Sequence, residues 1–230
     1  MTLKGTPKVL LILPLLAAAI LAAALLGGHG APGRRTAFRM PTGSMEPALL
    51  AGDHLMVELR PGYRPQRGEV VAFISVEAPG LLTVSRIAAV PGDSVGMSNG
   101  ELFLNRLQPA WSQGHSSVGG PADSPELREQ MARWQAPFLL HRADGLVPDR
   151  RNWGPLRVPA GAYLVLGDHR DFSYDSRFWG FLPASHVVGR PRYVYYSYDP
   201  HSPRLLPWLS AIRWGRIGQR VPASVPARPN

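Results

Sequence analysis

The chain contains no cysteine at any of its 230 positions. Disulfide scaffolds, thiolate zinc sites, iron–sulfur clusters and cysteine nucleophiles are therefore excluded by inventory. Lysine is almost as scarce: Lys4 and Lys8 are the only two, and every later cation is an arginine. Chemistry that needs a lysine amine is closed to the body of the protein. Acidic residues are in the minority, 16 against 25 cations for a formal net charge of +9, which removes an acidic disordered chain from consideration. With 45% apolar residues, 24 glycines and 24 prolines, the composition is that of a turn-rich globular domain. The arginines are scattered, and no helix-turn-helix, zinc-finger or RNP-like pattern accompanies them, so nucleic acid is not an expected partner. A solvated or lipid-facing surface accounts for the charge.

Residues 9–26 form an unbroken apolar stretch of 18 residues. At about 1.5 Å rise per residue a helix there covers roughly 27 Å, close to the hydrocarbon thickness of a bilayer. The reading is one transmembrane helix at 9–26 after a cytoplasmic tail at 1–8; the rival is a cleaved secretory signal, whose apolar region is usually shorter. Residues 27–35 read as a linker, and residues 36–221 as a mainly β, antiparallel domain. Strands are predicted at 70–74, 82–84, 163–166 and 192–196, bounded by Gly68, Pro91-Gly92-Asp93, Pro159-Ala160-Gly161 and Pro191. Between 108 and 159 the texture changes to proline, glycine and charge, which reads as an insertion with one helix at 125–134, Ser124 capping it and Pro125 at its first position. The segment 205–221 mixes Trp208, Ile212, Trp214 and Ile217 with arginines, a pattern suited either to lipid headgroups or to a final element packed on the core. Residues 222–230 read as a flexible tail.

The stretch Met40-Pro41-Thr42-Gly43-Ser44-Met45-Glu46-Pro47, followed by Gly52-Asp53, carries the most chemistry. Two prolines fix their own φ and bias the residues before them to extended geometry, so Ser44 sits on a constrained, non-helical turn. Such a turn presents a hydroxyl outward and leaves its N–H free. A nucleophile with an oxyanion-stabilising amide needs both, and Thr42 adds a hydroxyl donor nearby. By itself a serine in such a turn is more often structural.

Three further segments change the reading: Arg67-Gly68-Glu69 with its apolar strand, Ser85-Arg86-Ile87 running to Pro91-Gly92-Asp93, and Gly167-Asp168-His169-Arg170-Asp171-Phe172-Ser173-Tyr174-Asp175-Ser176-Arg177-Phe178-Trp179-Gly180. In order and spacing, with an ending at Arg213 to Gly218, these resemble the boxes of the bacterial type I signal peptidases, membrane-anchored serine endopeptidases. The resemblance implies a signal-peptidase-like β domain behind one N-terminal transmembrane helix. It places the protein in the cytoplasmic membrane, single-pass, with the domain on the outer side. Its partners are then preproteins bearing signal peptides and the lipid membrane, with no cofactor. By position it makes Ser44 the nucleophile and Thr42, with the Ser44 amide, the oxyanion hole. Ser173 falls where the family orients its base, Arg86 beside the base position, and Asp175 and Arg177 on a supporting ionic pair. Read from charge alone, Asp168, Arg170, Asp171, Asp175 and Arg177 alternate in sign, so the segment is able to neutralise itself.

One departure matters. Where the family has its general-base lysine, this chain has Ser85. A serine hydroxyl is no useful base near neutral pH and the neighbouring Arg86 stays protonated, so neither replaces a neutral amine. An imidazole from elsewhere is a conceivable replacement, with His169 ahead of His54 as candidate. No H-E-x-x-H or clustered carboxylate pattern points to a metal. Three functions follow as expectations: an active endopeptidase that removes signal peptides, a catalytically degenerate relative that binds extended peptides, and a specialised pilus or conjugation processing peptidase.

Overall fold

A computed structural model describes residues 34–107, 122–141 and 147–222. The apolar run at 9–26 and the residues 223–230 lie outside them; among the described residues no helix is long and apolar enough to cross a membrane. The strands are β1 (Arg35–Arg39), β2 (Asp53–Leu59), β3 (Val70–Ile74), β4 (Leu82–Ala89), β5 (Ser94–Ser98), β6 (Glu101–Leu104), β7 (Trp153–Arg157), β8 (Ala162–Leu166), β9 (Leu182–Pro183) and β10 (Val187–Ser197). Short helices are α1 (Pro125–Gln135), α2 (Ser176–Trp179) and α3 (Pro207–Ser210). Seven strands pair in the order β1-β2-β10-β3-β4-β8-β9 and three in the order β6-β5-β7, and all the pairings are antiparallel.

Strand β3 shows why the sequence reads as an unbroken apolar run there. Val70 and Ala72 pack with Met45, Leu55 and Val194, whereas Val71 and Phe73 pack with Ile87, Val165 and Leu182. A strand buried on both faces has no polar alternation. A third core joins the second sheet to α1 through Val95, Leu102, Met131, Trp153 and Leu156. Helix α1 begins as its sequence dictates, with the Ser124 hydroxyl oxygen accepting from the Leu127 N–H and Pro125 at the first turn.

Strands β1, β2, β5, β6, β7 and β9 answer to no predicted strand. In β1 exposed residues alternate with half-buried ones along Arg-Thr-Ala-Phe-Arg, an edge pattern too polar to stand out. In β7 the pair Gly154-Pro155 disguises the strand; the glycine is required because its φ is +78° and a Cβ there meets the Val95 carbonyl at 2.9 Å. β7 comes from the 108–159 stretch, but its partner β5 precedes that stretch. Pro191, read as a strand boundary, lies inside β10 opposite Val57, and the ladder shifts register directly after it. A bulge is where a residue without an N–H is tolerated.

Beyond that bulge the C-terminal segment runs along β10 where β3 leaves off. The Gly218 N–H donates to the Val194 carbonyl, Val221 to Arg192 and Arg213 to Ser197. The segment 205–217 is thus backed by β10 through its main chain, while Leu205, Trp208, Leu209 and Trp214 stay exposed.

The Arg-Gly-Glu and Pro-Gly-Asp boxes meet through one ion pair. Arg67 donates to both carboxylate oxygens of Asp93 at 2.5 and 2.7 Å. Burial pushes the Asp93 carboxyl up, but Arg67, the Val90 N–H and the Asn105 amide outweigh it and hold the carboxyl below its usual range. A lowered folded-state value means that this stability is present above the unfolded value of about 3.9 and is lost as pH falls through the folded one. Asp93→Asn is therefore expected to be less stable than wild type at pH 7, with the gap narrowing at pH 3. Urea unfolding at the two pH values reads this directly.

Candidate active site

Ser44 stands on a turn between β1 and β2 that is tied down on both flanks: the Gly52 N–H donates to the Met40 carbonyl and the Met40 N–H to the Asp53 carbonyl, and the Leu49 N–H returns to the Met45 carbonyl. Met45 and Leu49 fill the core beneath. Asp53 holds the base of the turn, its Oδ2 accepting from the Leu50 N–H and its carboxylate from the Ser197 hydroxyl at 2.7 Å. Arg216 from the C-terminal segment also donates to Asp53, at 2.6 Å from Nη2, and to the Ala48 carbonyl. The Arg-Trp-x-Arg-Ile-Gly ending therefore acts on the serine turn from 163 residues away. Its spacing in the sequence gives no hint of that partner.

The side chains left facing outward are those with hydroxyls. Thr42 Oγ1 donates to Ser44 Oγ at 3.2 Å, and the Ser44 N–H reaches Thr42 Oγ1 only at the limiting 3.5 Å. That N–H is only weakly engaged.

The third box lies against this turn. The His169 N–H donates to the Ser44 carbonyl at 3.0 Å. Gly167 sits between: a Cβ there runs into the Ser173 side chain and comes 2.5 Å from the Ser44 carbonyl. Gly167 thus stands between Ser44 and Ser173. Ser85 lies on β4, paired with Val71, one residue before the Arg86–Leu166 pair of the next ladder; Ser173 is 5% and Ser85 9% exposed. Gly167 was not recognised from sequence as a close-approach glycine. One of its two neighbours, Ser44, lies more than 120 residues earlier in the chain, and no sequence pattern signals that approach. Gly167→Ala is expected to cost about 1–3 kcal/mol by overpacking, read as a lowered urea midpoint.

Two ion pairs hold the box in place. Arg86 is bidentate to Asp168, at 2.7 and 2.6 Å, and also donates to the Gly68 carbonyl. Asp175 pairs with Arg177 at 2.8 Å, caps α2 and accepts from the Gly167 N–H. The segment thus pairs Asp175 with Arg177 within itself, as the charge alternation suggests, while Asp168 takes its bidentate partner from β4. Burial, with Arg177 close by, brings the Arg170 guanidinium down to about 10 against the pull of Asp168 and Asp175, which leaves it charged at neutral pH.

The histidines divide by place. His169, four residues before Ser173, packs its ring on Phe172 with centroids 4.6 Å apart. His54 is in a cluster with Tyr195, Tyr196 and Tyr198, where burial and Arg39 lower its imidazole against the opposing pull of Asp53. His186 is engaged by the Ile74 carbonyl. His29 and His115 lie outside the described residues. Among the described residues no group of three or more histidines and carboxylates is placed to hold a metal.

Comparison with known proteins gives these positions a context. Residues 9–196 match the family described as signal peptidase, peptidase S26. A "probable signal peptidase I-2" of Synechocystis sp. is 32% identical over 159 residues, covering 66% of this chain and 58% of that protein. A "signal peptidase I" of Leptolyngbya laminosa is 32% identical over 161 residues, covering 66% and 64%. A "probable signal peptidase I-1" of Synechocystis sp., 29% identical, covers 94% of this chain and 89% of its own. The chain spans less than two thirds of the length of the first two. A solved signal peptidase I from Enterococcus faecalis aligns over 56% of this chain and 97% of its own at 24% identity and a TM-score of 0.36, a likeness too loose to bear on the fold.

Proposed function

The chain belongs to the signal peptidase family, peptidase S26, and from that premise we propose that it is a serine endopeptidase that removes signal peptides from exported preproteins. What supports the reading is the Thr42–Ser44 hydroxyl pair on its turn, with the His169 N–H on the Ser44 carbonyl and Gly167 held between that carbonyl and Ser173.

In the proposed reaction Ser44 Oγ attacks the scissile carbonyl of an extended substrate, its proton passing to a base as the C–O bond forms. The Ser44 N–H and the Thr42 hydroxyl stabilise the oxyanion, which collapses with expulsion of the amine; water then hydrolyses the acyl-enzyme. The base cannot be Ser85 or Arg86. His169 takes the role in this proposal, because among the described histidines it is the one whose main chain is bonded to the nucleophile's own residue. An imidazole titrates near 6.5 when unperturbed, which suits a base at neutral pH. The apolar run at 9–26 anchors the chain in the cytoplasmic membrane as a single span, with the β domain on the outer side where exported preproteins emerge. Arg86, Asp175 and Arg177 act as positioning residues.

Ser85 itself favours a second reading, in which the groove holds extended peptides without cutting them. Purified full chain in detergent, incubated with a preprotein, separates the two. Cleavage is expected in wild type and absent in Ser44→Ala, and His169→Gln is expected to lose most of it together with the rise of rate through pH 6 to 7. Intact substrate in wild type, with measurable peptide binding, overturns the peptidase reading in favour of the second.

A further inference from the structure

On the β1-β2-β10 side of the large sheet a cleft of about 360 Å³ is lined by Arg35, Arg190, Arg192 and Arg220 against the two carboxylates Glu58 and Glu69. Neither carboxylate satisfies these arginines. Glu58 is tied to Arg60 at 3.0 Å and stands 3.5 Å from Arg192 and 3.8 Å from Arg190. Glu69 accepts the Tyr63 hydroxyl at 2.6 Å and the Gln66 N–H, leaving Arg190 at 3.7 Å. Arg190 Nε is buried without a hydrogen-bond partner. Arg35 and Arg220 belong to no ion pair among the described residues. Burial pushes the Glu58 carboxyl up, yet Arg60, Arg192 and Arg190 overcome it and hold it below the usual range. The field in the cleft is accordingly positive.

We infer that this cleft binds a phosphate group, carried by an anionic lipid headgroup or by the free ion. Several guanidinium forks converging on one space need an acceptor with several oxygens, which a tetrahedral phosphate offers and a further carboxylate does not. Arg35 and Arg220, both exposed and both lining the cleft, supply forks that no ion pair among the described residues engages, while Arg190 Nε lies 3.8 Å from Glu58 Oε2 with neither atom hydrogen-bonded. The site is separate from Ser44 and stands whether or not the chain cleaves peptides.

The test is calorimetric titration of the full chain in non-ionic detergent with inorganic phosphate, short-chain phosphatidylglycerol and short-chain phosphatidylcholine. Saturable binding of phosphate or of phosphatidylglycerol is expected, weakened by added salt and weakened roughly tenfold or more in Arg35→Gln/Arg220→Gln. Tighter binding of phosphatidylglycerol than of phosphate assigns the headgroup; the reverse assigns the free ion. No binding, equal binding of phosphatidylcholine, or unchanged affinity in the double variant overturns the inference. Arg220→Glu alone gives a second reading should the double variant fold poorly. Peptide cleavage by the same variants, expected to match wild type, reports on the peptidase proposal separately.

Discussion

Replacing Ser85 by lysine is expected to raise preprotein cleavage by about 10²- to 10⁴-fold in kcat/KM, the usual worth of a positioned general base. Position 85 is 9% exposed, on β4 opposite Val71 and next to the residue that pairs with Leu166. Burial disfavours a charged ammonium and brings its pKa toward neutrality, so an amine there accepts the serine proton where a hydroxyl cannot. The pH profile is the diagnostic part: the rising limb moves from the imidazole range to that of the new amine, and His169→Gln no longer matters in the Ser85→Lys background. A Ser85→Lys chain that folds, binds peptide and cleaves no faster than wild type would show that the serine turn, and not the base alone, is unfit for catalysis.

Asp168→Ala is expected to be the most destabilising single change described, by about 3–5 kcal/mol. The Arg86 guanidinium that it strands is 1% exposed and Asp168 0%, so no water is at hand to solvate the remaining charge. Against a total of roughly 5–15 kcal/mol for a natural domain, such a loss empties much of the margin. Asp168→Ala/Arg86→Met removes the stranded charge and is expected to recover part of it. The recovery stops short because Arg86 also donates to the Gly68 and Pro222 carbonyls, which an apolar side chain leaves unmet. Equilibrium urea unfolding of the two variants checks the order; a single variant no less stable than the double would refute the account.

Much of the serine turn was legible because its constraint is local: Pro41 and Pro47 limit the backbone and Gly43 gives room, a Cβ there coming 2.6 Å from the Glu46 carboxylate. The Ser124 cap and strand β3 were legible for the same reason. The missed strands were those whose sequence is polar, or broken by glycine and proline, and whose pairing comes from distant neighbours.

The amino-acid sequence by itself determined the inventory: no thiol, no lysine beyond position 8, a serine in a proline-bounded turn, and boxes in the order of one family. These are properties of residue type and short spacing, which the chain carries before it folds. Only the tertiary structure decided which charges meet, pairing Arg86 with Asp168 across 82 residues and Arg216 with Asp53 across 163. It also set Gly167 between Ser173 and Ser44 and gathered four arginines into one cleft. Such contacts form between surfaces that strand pairing brings together, and alternation of sign along a segment does not encode them.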